Sequence, residues 1–140
     1  ITRLLDMGIE NFLISSALLG VLAQRLVRVI CPDCKEESSL TPILRAEMGQ
    51  LGKEDIKVYR GKGCKACSNT GFKGRCGIYE LLVVDDNIRE LVLKKSTAQA
   101  ICDKARLTGM RTLREDGWDK VIEGITTVEE ILRVTLSDRN

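Results

Sequence analysis

Histidine is missing from the 140 residues altogether, aromatics make up 4%, and proline occurs twice. Without histidine, imidazole is excluded both as a general base and as a metal ligand. With so few aromatic rings the core has to be built from Leu, Ile and Val, and little is left on which nucleic-acid bases could stack. No apolar run reaches the roughly 18 residues needed to cross a bilayer. Residues 1–11 carry Arg3, Asp6 and Glu10, which does not suit an export signal. A Gly-x-x-x-x-Gly-Lys-[Ser/Thr] phosphate loop is absent. The glycines at Gly61-Lys62-Gly63 and Gly71–Gly74 do not lead from a strand into a helix, as phosphate cradling requires. No residue is therefore assigned to catalysis or to a nucleotide cofactor. With 44% hydrophobic and 30% charged residues, the length suits one ordinary domain or two small ones.

Cysteine is what the chain does have, six times. Four form two Cys-x-x-Cys pairs, Cys31/Cys34 in CPDCK and Cys64/Cys67 in GCKACSNTG. In a chain without an export signal such pairs point to metal or redox chemistry and away from a disulfide framework. A thioredoxin-like redox motif needs one pair in a βαβ setting, and here there are two pairs without that setting. Four thiolates from Cys31, Cys34, Cys64 and Cys67 suit one tetrahedral Zn²⁺. Such a site keeps no position open for water, so it contributes folding energy and no Lewis-acid chemistry. Cys76 and Cys102 are expected to pack as small apolar residues.

Formal net charge is +2, and four metal-bound thiolates around Zn²⁺ bring the loaded chain close to neutral. A globally basic, nucleic-acid-like surface is not expected. Arg60, Lys62, Lys65, Lys73 and Arg75 surround the second knuckle. They either offset the negative metal centre or form a basic docking patch. The paired carboxylates Asp85/Asp86, Glu115/Asp116 and Glu129/Glu130 stand at helix starts, where they favour the helix dipole.

The periodicity predicts a helix end over 2–7 capped by Gly8, then a largely apolar helix from Asn11 to about Val29. On that helix Gln24, Arg25 and Arg28 would share one face. The two arginines are either a solvated or salt-bridging stripe, or lie near a nucleotide or subunit interface of a larger assembly. Thr41–Pro42 opens a short helix. Strands are expected at 56–59 and 75–83. Four helices follow, opened by Asp85 or Asp86, Ser96-x-x-Gln99, Thr112-x-x-Glu115 and Thr127-x-x-Glu130. They are expected to pack as a small bundle on the metal module. The fold class is α+β, mostly helical.

RLLDMGIENFLISSALLGVLAQRLVRVICPDCKE, GCKACSNTGFKGRCGIYELLVVDD and REDGWDKVIEGITTVEEILRVT resemble, in this order, the type II secretion and type IV pilus assembly ATPases. The cysteine pattern is similar to the secretion and extension members and unlike the retraction ATPases, which lack the module. The resemblance implies that residues 1–30 end a RecA-like motor domain. Residues 31–80 would form the tetracysteine zinc module, and 81–140 a C-terminal helical subdomain. It further implies a cytoplasmic hexamer, peripheral at the bacterial inner membrane, that hydrolyses ATP with Mg²⁺. Its partners would be neighbouring subunits, the motor domain of the same protein and an inner-membrane platform protein, with no nucleic acid. The family's nucleotide-handling motifs fall outside the matching stretch, so only Cys31, Cys34, Cys64 and Cys67 carry over. The alternative is a zinc-ribbon-type nucleic-acid or chaperone binding module, because CKACSNTGFKG also resembles the knuckles of heat-shock co-chaperones.

Overall fold

The computed structural model describes residues 1–53 and 56–135. The architecture is α+β, with an element order of α1 (Thr2–Asp6), α2 (Asn11–Ala17), β1 (Gly20–Ile30), β2 (Lys35–Ser38), α3 (Pro42–Glu47), β3 (Val58–Gly61), β4 (Phe72–Val83), α4 (Asp86–Leu93), α5 (Ala98–Leu107), α6 (Leu113–Ile122) and α7 (Val128–Thr135). β1 pairs with β4, and β2 with β3. Two compact units result, neither continuous in sequence. One is Ile1–Ala23 with Glu80–Thr112, and the other is Gln24–Tyr79 with the segment from Leu113 onward.

The long apolar helix expected from Asn11 to about Val29 is not formed. The helix stops at Ala17, and Gly20–Ile30 is an 11-residue strand. Apolar runs of this kind suit a helix or a buried strand equally by periodicity. Here Gly20 disfavours helix continuation, and the branched side chains Val21, Val27, Val29 and Ile30 prefer the extended backbone. Gln24, Arg25 and Arg28 consequently do not share a helical face.

In the first unit, Ile14, Val84, Ile88, Val92, Ile101 and Ala105 form the core. Ile88 and Val92 sit four residues apart on α4, as do Ile101 and Ala105 on α5, so each helix turns one stripe inward. Asp85 caps α4 by accepting the Ile88 N–H at 2.9 Å. The cap of α5 is Thr97, whose hydroxyl accepts from the Ala100 N–H at 3.2 Å. The expected Ser96–Gln99 box is not made, and Gln99 instead donates to Asp103 four residues on. Asn11 is the first residue of α2 rather than its cap, and its amide donates to the Leu93 carbonyl at 2.7 Å.

The second unit holds both knuckles. β3 lies two residues later than expected, because its register is set by β2, with Lys35 opposite Gly61 and Ser38 opposite Val58. β2 itself, Lys-Glu-Glu-Ser, has no apolar alternation to announce it. Cross-strand ion pairs Glu36–Arg60 and Glu37–Lys57 accompany the pairing. Gly117 is where α6 meets α7: a Cβ there would come within 2.7 Å of the Ile131 side chain. The four C-terminal helices are divided between the two units. α4 and α5 belong to the first unit, α6 and α7 to the second.

Glu130 ties α7 to β1. It is 2% exposed, yet its carboxylate accepts from the Arg28 backbone N–H at 3.0 Å, from the Arg28 guanidinium at 2.8 Å and from Arg133 at 2.6 Å. Thr127 does cap α7, accepting the Glu130 N–H, but the Glu130 side chain serves β1 and does not close the expected box. Burial alone would raise the Glu130 pKa. The hydrogen bonds from Arg133 and Arg28 outweigh it and hold the carboxyl at about 2, against an ordinary 4.5. Its stabilisation is thus complete above about pH 4.5 and is lost as pH falls towards 2. Glu130→Ala, which strands a backbone donor and two guanidinium groups, is expected to cost about 2–4 kcal/mol in urea unfolding. Glu130→Gln should lose less at neutral pH and show a shallower fall in stability between pH 4.5 and 2 than the parent. Identical pH profiles would contradict the assignment.

Candidate metal centre

Each Cys-x-x-Cys pair sits on a 3₁₀ turn, Pro32–Cys34 and Lys65–Cys67. Pro32 fixes φ at the first position of its turn. The second turn leaves through Ser68 and Asn69, both left-handed, and Gly71 at φ +77°. Gly63 and Gly74 lie at positive φ as well. This curvature turns the sulfurs of a pair towards one point.

All four Sγ atoms of Cys31, Cys34, Cys64 and Cys67 lie within 4.8 Å of one another. Cys31 to Cys64 and Cys34 to Cys67 are each 3.9 Å, and Cys64 to Cys67 is 3.7 Å. Sulfurs at about 2.3 Å from a tetrahedral zinc stand about 3.8 Å apart, so the cage has the right size. A disulfide needs about 2.05 Å, and all six cysteines are free thiols. Cys31, Cys34 and Cys67 are buried and Cys64 is partly exposed. Among the described residues these four are the group that can hold a metal ion. Cys76 and Cys102 are half-buried and stand outside it.

The surroundings treat the four thiols differently. Burial pushes Cys34 up to about 12, with the neighbouring thiols adding to the effect. Burial acts on Cys67 in the same sense, but its sulfur accepts N–H groups from Cys64 at 3.2 Å and Gly71 at 3.3 Å, and its pKa falls to about 6. Backbone bonds join the two knuckles: Cys31 N–H donates to the Gly71 carbonyl at 2.9 Å, and Lys62 N–H to the Cys34 carbonyl at 3.1 Å. Gly61 and Gly71 touch backbone to backbone, and a Cβ on either would collide with the carbonyl of the other. The glycine-rich composition of the second knuckle signals tight turning, whereas the contact at Gly61 has no signature of its own.

Of the five cations around the second knuckle, Arg60 pairs with Glu36 and Lys73 with Asp33. Lys62, Lys65 and Arg75 are exposed. Arg28 is committed to Glu130 and stacks on Phe72 at 4.1 Å, while Arg25 donates to the Val134 carbonyl. Two of the carboxylates placed at helix starts have tertiary partners: Asp116 accepts the Tyr79 N–H at 2.9 Å, and Glu130 holds β1.

An α+β chain whose two knuckles bring four thiols within 4.8 Å of one another has the form of a metal-binding module. Residues 1–133 match the family model described as "Type II/IV secretion system protein", and the chain belongs to that family. It is 51% identical to the type II secretion system ATPase E of Vibrio cholerae over 96% of this chain and 27% of that protein. The type II secretion system protein E of Pseudomonas aeruginosa is equally similar, with the same coverage. The type IV pilus assembly ATPase PilB of Thermus thermophilus is 49% identical over 97% of this chain and 16% of its own length. The chain thus spans about a quarter or less of these relatives. Among the described residues no helix is long and apolar enough to cross a membrane.

Metal uptake has to displace the thiol protons, so affinity for a thiophilic divalent cation must rise with pH. Cys67 loses its proton near pH 6 and Cys34 far above it. Competition titrations with a chromophoric chelator are expected to show affinity falling steeply from pH 8 to below 6. An affinity independent of pH would mean that the thiols are not the ligands.

Proposed function

We propose that this chain is the C-terminal, zinc-binding portion of a cytoplasmic ATPase, peripheral at the inner membrane, that powers type II protein secretion or type IV pilus assembly. The reading is supported by the family match together with one geometric observation, the four Sγ atoms within 4.8 Å. Cys31, Cys34, Cys64 and Cys67 hold Zn²⁺ as a tetrathiolate. The first 30 residues complete a RecA-like motor domain, 31–80 are the zinc module, and 81–140 are the C-terminal helical part. ATP and Mg²⁺ are handled elsewhere in the whole protein, a hexamer that works on an inner-membrane platform protein. No catalytic group is assigned within this chain.

The role follows from the magnitude of the metal term. A structural zinc contributes on the order of 10 kcal/mol of apparent binding energy, comparable to the whole stability of a domain. The loop it closes between Cys34 and Cys64 contains α3 and little buried surface, with Met48 and Val58 among its few buried residues. Zinc therefore holds β2, β3 and both turns as one rigid piece. Motion generated in the motor then reaches a partner surface without being lost in local bending.

One zinc per chain is the expected stoichiometry, and strong chelators should remove it with loss of protection in the 31–74 region by hydrogen exchange. In the full protein Cys64→Ser should lower zinc content and abolish ATPase-driven secretion or piliation. Zinc loss with folding and transport unaffected would contradict the structural role.

A further inference from the structure

Cys31 and Cys34 come from one segment and Cys64 and Cys67 from another, and the β2–β3 pairing and the Lys62–Cys34 bond already join the two. Gly71 goes further and bonds to a cysteine of each segment. The Gly71 N–H donates to Cys67 Sγ at 3.3 Å, and its carbonyl accepts the Cys31 N–H at 2.9 Å. Gly71 is buried, sits at φ +77°, and lies so close to Gly61 that neither can carry a Cβ without meeting the other's carbonyl. The neighbouring Thr70 hydroxyl donates to the Cys67 carbonyl at 2.6 Å and accepts the Phe72 N–H, which fixes the turn leading into that position.

We infer that Gly71 is the positioning residue of the metal centre: its two backbone groups orient Cys67 for the metal and lock the Cys31 knuckle onto the Cys64 knuckle. The inference rests on the proposed reading of the four thiols as a zinc site. Its physical basis is twofold. An N–H aimed at a coordinating sulfur stabilises the negative charge that the thiolate keeps on binding and fixes its lone pair, as outer-shell partners of metal ligands do. The left-handed backbone that aims it is open to glycine and strained for other residues. A side chain at 71 would turn the N–H off the sulfur and push Gly61 away, loosening both knuckles together.

Gly74 supplies the control. It also lies at positive φ, +81°, but a Cβ there would meet nothing within 4 Å. Gly74→Ala carries similar backbone strain without touching the cage. In the full chain, zinc affinity measured by chelator competition is expected to fall by about 10–100-fold in Gly71→Ala, the usual effect of losing an outer-shell partner. It should change by less than about 3-fold in Gly74→Ala. Co²⁺ loading reads the geometry directly. The parent and Gly74→Ala should give intense tetrathiolate charge-transfer and visible bands, and Gly71→Ala weaker, shifted ones. Equal affinities and equal Co²⁺ spectra in the two variants would overturn the inference while leaving the zinc reading intact. A parent chain that takes up neither zinc nor cobalt would overturn both. Should Gly71→Ala fail to fold, the parent loaded with NMR-active cadmium decides. Amide protons of Gly71 and Cys64 should show scalar coupling to the metal through Cys67 Sγ, and absence of the Gly71 coupling would overturn the inference.

Discussion

The convergence of four sulfurs from two distant turns is the constraint on which the second unit depends. Twenty-nine residues separate Cys34 from Cys64, and the segment they enclose is short of apolar side chains. Among its described residues, Met48 and Val58 are the buried hydrophobic ones. In the proposed reading, a metal held by these sulfurs, which lie within 4.8 Å of one another, fastens the segment at one point. The backbone bonds Cys31 to Gly71 and Lys62 to Cys34 then extend that point into the start of β4 and the end of β3.

A second, electrostatic fastening works beside it. β1 runs into the first cysteine through Ile30, whose N–H donates to the Ile125 carbonyl. Thr126 donates to the Arg28 carbonyl, and Glu130 takes the Arg28 N–H and its guanidinium. The edge of β1 near the knuckle is thus satisfied by the turn before α7 and by α7 itself. Burying a carboxylate this deeply is costly unless its oxygens are fully used, and Glu130 uses them on a backbone donor and two arginines. Phe72 beneath the Arg28 guanidinium belongs to the strand that starts one residue after Gly71. The thiol cluster and the ion pair therefore share a boundary.

The cage was legible in the sequence because its chemistry is local: two residues between thiols, a proline in one turn and glycines after the other. The same holds for the caps at Thr41 and Asp85, where one side chain serves a backbone group three residues away. What escaped sequence reading depends on partners far along the chain. Gly20–Ile30 is an apolar run that periodicity alone leaves open between helix and strand, and pairing with β4 realises the strand that its branched residues favour. Lys35–Ser38 has no strand signature until Gly61 and Val58 come opposite. Glu130 reads as the closing half of a capping box until Arg28, 102 residues away, claims it. Gly71 was visible as a turn glycine, while its contact with Gly61 and its bond to Cys67 required the fold.

The chain belongs to the Type II/IV secretion system protein family, and we propose that its four clustered thiols close around one zinc. Zinc-edge X-ray absorption on the purified protein tests that claim most directly. The account predicts a single shell of four sulfurs at about 2.3 Å. A nitrogen or oxygen scatterer in that shell, or fewer than four sulfurs, would contradict it.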